Sequence, residues 1–393
     1  MPRDSNVSVT GCLHLYRPPS LTVFEYKPPA QQTPATATPD HLTSTPKHVL
    51  LFVDGLYDSL LNPQYVADIA ALFPLTVPQP WRVMHIQLTS AGRHWGTTHL
   101  DRDIAEIGLA IDYLRHELFH DPNLDVVLMG HSTGCQDIMR YLTAPNPLTA
   151  PSGKPRPKIQ GAILQAPVSD RDNFLHELEN SPTLPATVSK INAIIAQTPL
   201  SEHKNVVLPL NLTAPLFGPA PVCIQRYLSQ TSPESPARPS IEDFFSHDLS
   251  DDTLRATFGS IGKYGLLAPS GGASQPELLA LMSDSDEYVP SHIDKARLLQ
   301  RWTEVMRHEA GQVMAQESRV ILNALHDISG EDWPSQEARL VEMRCAVLRY
   351  LERVVGGVSE HAWTVVDEDR KRVLKLKEGD GRKGEARIGV LKL

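Results

Sequence analysis

Short apolar runs alternate with amphipathic segments along most of the 393-residue chain. Four of the runs are continuously apolar, as strands buried on both faces of a sheet are: HVLLFVDGL, WRVMHIQLTS, LDVVLMG and IQGAILQAPV. The segments between them have apolar residues at helical spacing, as in LDRDIAEIGLAIDYLRHEL. This alternation predicts right-handed β-α-β units, and therefore a mostly parallel central sheet with helices on both faces.

Breaks in this pattern predict the domain boundaries. Near the start, CLHLY and LTVFEY form a predicted hairpin, and a linker rich in Pro, Thr and Ala follows at about 27–47. After Pro167 the alternation gives way to short helical runs joined by proline-rich connections, which is typical of an inserted cap. We therefore expect four parts: the first core segment at 1–168, the cap at 169–269, the second core segment at 270–356, and a charged tail at 357–393 in which RVLKLK and IGVLKL are candidate short strands.

Composition and charge exclude several classes of function. The net charge is -9 and no dense basic run precedes the tail, so we expect no nucleic-acid partner. The sequence has neither a secretory pattern at its start nor a run of 18 apolar residues, so we expect no export signal and no membrane association. The four cysteines follow no disulfide or metal spacing, and no P-loop, dinucleotide or H-E-x-x-H motif occurs. These features predict a cytoplasmic protein without a metal or another cofactor.

The run VVLMGHSTGCQD contains the one G-x-S-x-G pattern in the chain. Ser132 follows a predicted strand and precedes a predicted helix, which is the context of the nucleophile elbow. Gly130 and Gly134 suit such a turn because side chains two positions either side of the serine would clash across it. The Thr133 N–H would lie at the helix N-terminus and stabilise an oxyanion. We expect His131 to serve packing and turn geometry, and a purely structural turn is the alternative for the whole motif.

A serine nucleophile needs a base, and in this fold an acid and then a histidine follow it along the chain. The segment LLALMSDSDEYVP offers Asp284, Asp286 and Glu287 as the acid. We favour Asp286, because the acid usually lies four residues before the proline of a D-x-x-V-P loop. Asp284 and Glu287 stay open as alternatives, with loop solvation or helix capping as their structural interpretation.

The base is expected directly after the next strand. His326 follows the predicted strand RVILNAL, whereas His292 and His308 fall in the helix between the acid and that strand. The predicted catalytic residues are therefore Ser132, Asp286 and His326, in which His326 takes the serine proton and the carboxylate orients the imidazole.

The second oxyanion donor is expected in the loop after HVLLFVDGL. Its backbone N–H would be that of Leu56, alongside the N–H of Thr133. Asp54 and Asp58 flank this loop. We expect them to brace the loop and cap the following helix, with substrate binding as the alternative.

One run of the predicted cap, SIEDFFSHDLSDDTLRATFG, combines aromatic and acidic residues. Its phenylalanines are expected to pack the cap onto the core. Its acidic residues would form a rim that selects a cationic substrate, with helix capping and solvated loop as the alternative. The candidate substrate-binding residues in this run are Glu242, Asp243 and Asp248.

Several stretches together resemble one family: SAGRHWGTTHLDRDIAEI, VVLMGHSTGCQD, IEDFFSHDLSDDTLRATFG, SDSDEYVP and ALHDISG. From about His48 to Val355 the sequence resembles the fungal α/β-hydrolases of the domain-of-unknown-function 1749 family, including its siderophore esterases that act on fusarinine C. This resemblance implies an α/β-hydrolase fold with Ser132, Asp286 and His326 as the catalytic residues. It also implies an intracellular esterase of fungal iron homeostasis, whose partner is a small-molecule siderophore ester, with or without iron. A general carboxylesterase or lipase-like enzyme and a non-catalytic binding protein on the same fold are the alternatives.

Overall fold

The computed structural model of the protein describes residues 9–27, 45–73, 80–148, 154–308, 311–329 and 333–380. Most of the predicted linker and the run IGVLKL lie outside the described residues. The described part contains nine strands in one sheet: β1 Thr10–Arg17, β2 Leu21–Lys27, β3 His48–Val53, β4 Trp81–Gln87, β5 Asp125–His131, β6 Gly161–Gln165, β7 Glu277–Ser283, β8 Val313–Met314 and β9 Arg319–Ile321.

The strands are arranged in the order β1-β2-β4-β3-β5-β6-β7, and both β8 and β9 pair with β7. The hairpin strands β1 and β2 are antiparallel to their neighbours, and the pairs from β4 through β9 are parallel. The strand order reverses at β3, which lies between β4 and β5. In open α/β sheets, ligands bind at the carboxyl ends of the strands beside such a reversal.

Eleven α-helices accompany the sheet in the described residues: α1 Tyr65–Ala70, α2 Leu100–Tyr113, α3 Gly134–Thr143, α4 Asp170–Asn180, α5 Leu184–Gln197, α6 Leu210–Phe217, α7 Ile224–Thr231, α8 Asp251–Thr257, α9 Lys295–His308, α10 Trp333–Val354 and α11 Glu360–Asp380. In the part of the chain that is described, no helix is both long and apolar enough to cross a membrane.

Strand β3 illustrates how both faces of the sheet are buried. Val49 and Leu51 join a core formed with α2, α3 and α9, whereas Leu50 and Phe52 join a second core formed with α1, α10 and α11. Successive side chains of a strand point to opposite faces, so a strand between two helical layers must be apolar at every position. Burying one such side chain contributes about 1.5–3 kcal/mol. The fold class predicted from the apolar runs is confirmed.

The segment predicted as a cap, 169–269, divides in two by its packing. Its first half forms a separate small core that includes Ile191 and Tyr227. Its second half joins the main core, where the Phe258 ring stacks on Trp302 of α9 at a centroid distance of 4.8 Å. The phenylalanines of the cap run do pack on the core, as expected. Through these contacts the second half of the cap segment is part of the main core. The predicted boundary at 269 therefore does not separate two packing units.

The tail contains a helix where short strands were proposed. The run RVLKLK lies inside α11, so the strand interpretation is wrong. Ala362, Val366 and Val373 recur at helical spacing and are buried in the core that also contains α10. Arg344 of α10 binds Asp369 of α11 at 2.9 Å. An apolar stripe therefore holds α11 against the core. The run RVLKLK is too short to show the helical spacing of that stripe, and its own alternation resembles a strand.

Candidate active site

The elbow at Ser132 joins the end of β5 to the start of α3. Ser132 has a φ of +55°, a left-handed conformation that costs a non-glycine residue about 1–3 kcal/mol. A Cβ atom on Gly134 would lie 2.5 Å from the carbonyl oxygen of Val53, and one on Gly130 would lie 2.8 Å from the backbone nitrogen of Cys135. The two glycines are needed because the turn packs against its own helix and against β3.

The imidazole of His326 is held by a buried carboxylate. Its Nδ1 lies 2.8 Å from Asp286 Oδ2, and the N–H of Tyr288 donates to Asp286 Oδ1 at 3.0 Å. Asp286 follows β7 and is 5% exposed, while His326 lies beyond β9 at the same edge of the sheet. With Nδ1 engaged by the carboxylate, Nε2 is the nitrogen left to exchange a proton with a nucleophile.

The two other candidate acids bond to backbone groups. Glu287 Oε2 accepts a hydrogen bond from the backbone N–H of His326 at 2.9 Å. Asp284 Oδ2 accepts one from the N–H of Asn323 at 3.3 Å. Of the three carboxylates left open by the sequence, Asp286 is the one that contacts the imidazole.

Ser132 and His326 share the wall of one cavity of about 530 Å³. Its apolar wall comes from both the core and the cap segment, and its polar wall is rich in carboxylates. The cavity is lined by Leu56, Tyr57, Asp58, Asn62, Trp95, His131, Ser132, Val168, Ser169, Asp170, Asn173, Leu216, Phe217, Gly218, Glu287, Tyr288, His326 and Asp327. The carboxyl ends of the strands around the order reversal thus open into a space that suits a small-molecule substrate.

A second cavity, of about 560 Å³, lies between the β1–β2 turn and α2. Four of its charged groups form two pairs: Arg102 with Glu106 at 2.9 Å and Lys154 with Asp112 at 2.6 Å. None of the predicted catalytic residues lies on its wall. The cavity at Ser132 is therefore the candidate active site.

The predicted oxyanion donors are next to Ser132 in the chain, in the case of Thr133, and on the wall of the same cavity, in the case of Leu56. Thr133 follows Ser132 directly and is the N-cap residue of α3. Leu56 lies on the cavity wall in the loop after β3. The N–H of the preceding residue, Gly55, donates to Asp58 Oδ2 at 2.9 Å and is engaged there. Leu56 is the next residue of that loop with a backbone N–H, and its assignment as the second oxyanion donor stays a prediction.

The two aspartates of the β3 loop have different positions. Asp58 lines the cavity and binds His131, whose Nδ1 lies 2.6 Å from Asp58 Oδ2. Asp54 is buried behind the loop, where it binds the imidazole of His85 and accepts a hydrogen bond from Gln87 Nε2 at 3.0 Å. Burial raises the pKa of Asp54 despite the imidazole beside it. Asp54 is not on the cavity wall, which corrects the alternative that it contacts substrate.

Of the candidate binding residues in the cap run, Glu242 and Asp243 are buried, whereas Asp248 is exposed. Glu242 pairs with Arg226 at 2.6 Å, Asp248 binds Arg171 at 2.7 and 3.1 Å, and Asp243 accepts hydrogen bonds from serine hydroxyls. None of the three carboxylates lies on the cavity wall. The structure therefore does not place these three residues at the candidate active site: Glu242 and Asp243 have buried partners, and Asp248 pairs with an arginine 77 residues away in the chain.

Arg226 of α7 lies within a buried group of carboxylates. Asp103 of α2, Asp137 of α3 and Glu242 all contribute to its electrostatic environment. Burial raises the pKa of Asp103 to about 7, and burial and the neighbouring Asp103 carboxylate also raise the pKa of Asp137. The end of the motif GHSTGCQD therefore belongs to a buried network that joins the core helices to α7.

Gln165, at the end of β6, connects the elbow to the histidine loop and was not anticipated. Its backbone oxygen accepts a hydrogen bond from the Ser132 N–H at 3.0 Å, and its Nε2 donates to the His326 carbonyl oxygen at 3.2 Å. Tyr65 OH donates to its Oε1 at 2.7 Å. The signal in the sequence is a polar residue at the end of the apolar run GAILQ, where a buried amide needs partners.

Tyr288 and Asp170 also lie on the cavity wall and were not singled out by the sequence. The Tyr288 ring meets the His326 ring edge to face at a centroid distance of 4.8 Å. Asp170, the first residue of α4, accepts a hydrogen bond from Gln136 Nε2 at 2.6 Å. Burial raises the pKa of Asp170 to about 7. Gln136 lies in the elbow motif, so this contact links α3 to α4 beside the cavity.

A serine on a strained strand-to-helix turn, a histidine held by a carboxylate and a mostly parallel sheet define the α/β-hydrolase class. The chain belongs to the family described as "Protein of unknown function (DUF1749)", whose model matches residues 5–351. This match confirms the family resemblance seen in the sequence.

Named relatives cover most of the chain. The fusarinine C esterase sidJ of Aspergillus fumigatus is 37% identical over 368 residues, which are 88% of this chain and 96% of the relative. Esterase AN6793 of Emericella nidulans is 33% identical over 361 residues, or 84% of this chain and 90% of the relative. Among solved structures, the siderophore hydrolase EstB of Aspergillus fumigatus matches with a TM-score of 0.71 and 34% identity, covering 90% of this chain and 99% of that one.

Proposed function

We propose that the protein is a serine esterase that hydrolyses the ester bonds of a fusarinine-type hydroxamate siderophore, with fusarinine C as the first substrate to test. The main support for this proposal is the geometry of the cavity: His326, whose imidazole is bound by Asp286, and Ser132 lie on the same cavity wall. The substrate class is supported by similarity to a fusarinine C esterase and to a siderophore hydrolase.

In the proposed reaction, the Ser132 hydroxyl attacks the ester carbonyl carbon and passes its proton to His326 Nε2. Asp286 stabilises the imidazolium, and the N–H groups of Thr133 and Leu56 bind the oxyanion. Losing one such donor costs about 2.7–4 kcal/mol of transition-state stabilisation. The alcohol leaves with the proton from His326, and a water activated by the same base then hydrolyses the acyl-enzyme.

The charge of the cavity wall supports a cationic ester. Asp58, Asp170, Glu287 and Asp327 line the cavity, and no lysine or arginine does so among the described residues. Fusarinine C has free amino groups, which are ammonium ions at neutral pH. Such a substrate would meet a wall of complementary charge as it enters the site. In this proposal the preference for amines comes from the cavity wall, with Asp170 as the principal residue.

Hydrolysis of a cyclic siderophore would separate its hydroxamate units and weaken their hold on iron, so the proposed role is release of iron from the chelate. We propose that this occurs in the cytoplasm. All four cysteines are free thiols, which agrees with a reducing compartment.

Mass spectrometry of fusarinine C after incubation with the protein tests the proposal. The wild type should convert the ring to linear and then monomeric units, each cleaved ester adding the mass of one water, and Ser132→Ala should leave it intact. Parallel reactions with iron-free and ferric substrate identify the form that is cleaved. In the opposite outcome, the wild type hydrolyses p-nitrophenyl acetate and yet leaves the fusarinine C ring intact. That result would contradict fusarinine C as the substrate but not the serine-esterase activity.

A general carboxylesterase is the second candidate, and the apolar part of the wall favours it. Trp95, Val168, Leu216 and Phe217 would suit an apolar acyl chain. Comparing kcat/KM for p-nitrophenyl butyrate and fusarinine C separates the two functions. The siderophore esterase predicts the higher specificity constant for fusarinine C.

A further inference from the structure

The carboxylate of Asp58 joins two catalytic segments of the cavity. Its Oδ2 accepts a hydrogen bond from the N–H of Gly55 at 2.9 Å and lies 2.6 Å from His131 Nδ1. Its Oδ1 accepts one from Asn62 Nδ2 at 2.8 Å. Gly55 precedes the proposed oxyanion donor, and His131 precedes Ser132. One buried side chain therefore ties the segment that binds the oxyanion to the segment that carries the nucleophile.

The loop after β3 and the nucleophile elbow are also in direct backbone contact, next to the Asp58 hydrogen bonds. A Cβ atom on Gly55 would lie 2.7 Å from Ser132 Cβ and 2.8 Å from the carbonyl oxygen of His131, so no larger residue fits. The position of Leu56, the next residue, is thus set against the nucleophile by the packing of Gly55 and by the Asp58 hydrogen bonds. Acyl transfer requires a fixed distance between the serine hydroxyl and the N–H groups that bind the oxyanion.

The His131 ring also packs against two neighbouring rings. Its ring is 4.7 Å from the ring of His326 and meets Tyr65 edge to face at 6.1 Å. Burial would lower the pKa of His131, but the adjacent Asp58 carboxylate outweighs it and the pKa is raised. A hydrogen bond between these two groups therefore has the added strength of charge.

We propose that Asp58 and His131 are a positioning pair that fixes residues 54–56, the oxyanion loop, relative to Ser132. The pair acts through the geometry of the oxyanion site, and it rests on the proposed serine-esterase function. A displacement of about 1 Å in such a site can lower the rate about 100-fold. The pair should therefore affect the transition state more than the bound substrate.

A matched control lies at the opposite end of the same two strands. His48 begins β3 and Asp125 begins β5, and the His48 Nδ1 atom lies 3.0 Å from Asp125 Oδ2. This pair has the same chemistry and joins the same strands at their amino ends, far from the cavity. Asp125→Ala thus reproduces the loss of an aspartate–histidine bond without touching the oxyanion loop.

The test compares kcat and KM for p-nitrophenyl acetate in wild type, Asp58→Ala, Asp58→Asn, His131→Asn, the Asp58→Ala/His131→Asn double variant and Asp125→Ala. We expect kcat to fall about 10–100-fold in Asp58→Ala with KM within about twofold. Asp58→Asn keeps an acceptor for the Gly55 N–H and should lose less. The double variant should be little worse than Asp58→Ala, because both changes break one interaction.

Several results would overturn the positioning pair. One is an equal loss of kcat in Asp58→Ala and Asp125→Ala. Another is a double variant in which the losses of the two single variants add. A third is a change in Asp58→Ala that is confined to KM. If Asp58→Ala does not fold, Asp58→Asn and His131→Asn give the same comparison. A wild type without esterase activity would instead contradict the proposed function, so the two failures are distinguishable.

Discussion

His326 Nδ1 lies 2.8 Å from Asp286 Oδ2, while the flanking carboxylates of Asp284 and Glu287 bind backbone N–H groups. The three acidic side chains of one short loop thus have different partners. In serine hydrolases the carboxylate holds the histidine tautomer, and its loss lowers kcat about 10⁴-fold.

We therefore expect Asp286→Ala to lower kcat on p-nitrophenyl acetate by about 10³–10⁴-fold. Asp284→Ala is the matched control from the same loop and should keep kcat within about threefold, since the Asp284 carboxylate bonds to the Asn323 backbone rather than to the imidazole. Steady-state kinetics at pH 8 measures both. A larger loss in Asp284→Ala would reassign the acid.

The elbow should not tolerate a methyl group at Gly134. A Cβ there would lie 2.5 Å from the Val53 oxygen and 2.7 Å from the Asp54 oxygen, both backbone atoms that cannot rotate away. We expect Gly134→Ala to lower the free energy of unfolding by about 1–3 kcal/mol or more. The control is Gly272→Ala, whose Cβ would meet only the Arg353 oxygen, at 4.0 Å. Urea unfolding of both variants checks this, and equal midpoints would contradict it.

The carboxylates of the cavity wall predict a preference for free amines. We expect fusarinine C to have a higher kcat/KM than its N-acetylated form. Asp170→Asn should reduce that ratio about fivefold, the equivalent of about 1 kcal/mol for a partly exposed charge pair. Asp252→Asn, which removes an exposed carboxylate of the cap run that pairs with Arg255, is the control. An unchanged ratio in Asp170→Asn would exclude this residue as the amine-binding group.

The same preference should depend on pH. Burial raises the pKa of Asp170 to about 7, so its carboxyl group is protonated below that pH and charged above it. The ratio of kcat/KM for the free amine to that for the acetylated substrate should therefore rise as pH increases through about 7 and then level off. Taking the ratio cancels every effect of pH that both substrates share. A ratio that is flat from pH 5.5 to 8.5 would show that Asp170 does not sense the amine.

The parts of the site that are continuous in sequence could be predicted. The elbow depends on a few adjacent residues, and continuous apolar runs identify strands buried on both faces. The order of serine, acid and histidine, together with a position directly after a predicted strand, then selected His326 from 16 histidines. The choice between Asp284 and Asp286 rested on the usual loop spacing, and side-chain contacts in the structure distinguish them.

The parts that depend on distant partners could not be predicted. The local composition of the acidic cap run suggests a rim of unpaired carboxylates. The partners of two of these carboxylates are remote in sequence: Arg226 lies 16 residues from Glu242, and Arg171 lies 77 residues from Asp248. The role of Gln165 likewise arises only when β6 lies beside the elbow and the histidine loop. Long-range pairing of charges and amides leaves no local periodicity for a sequence pattern to reveal.

The most direct test of Ser132 as the nucleophile is covalent labelling with a fluorophosphonate probe, followed by mass spectrometry of the digested protein. A nucleophilic serine activated by His326 should give one adduct per chain, on the peptide that contains Ser132, and esterase activity should fall in step with labelling. Ser132→Ala should carry no adduct, and His326→Ala should label far more slowly. A folded wild-type protein that stays unlabelled, or one labelled at another serine, would contradict the assignment of Ser132 as the nucleophile.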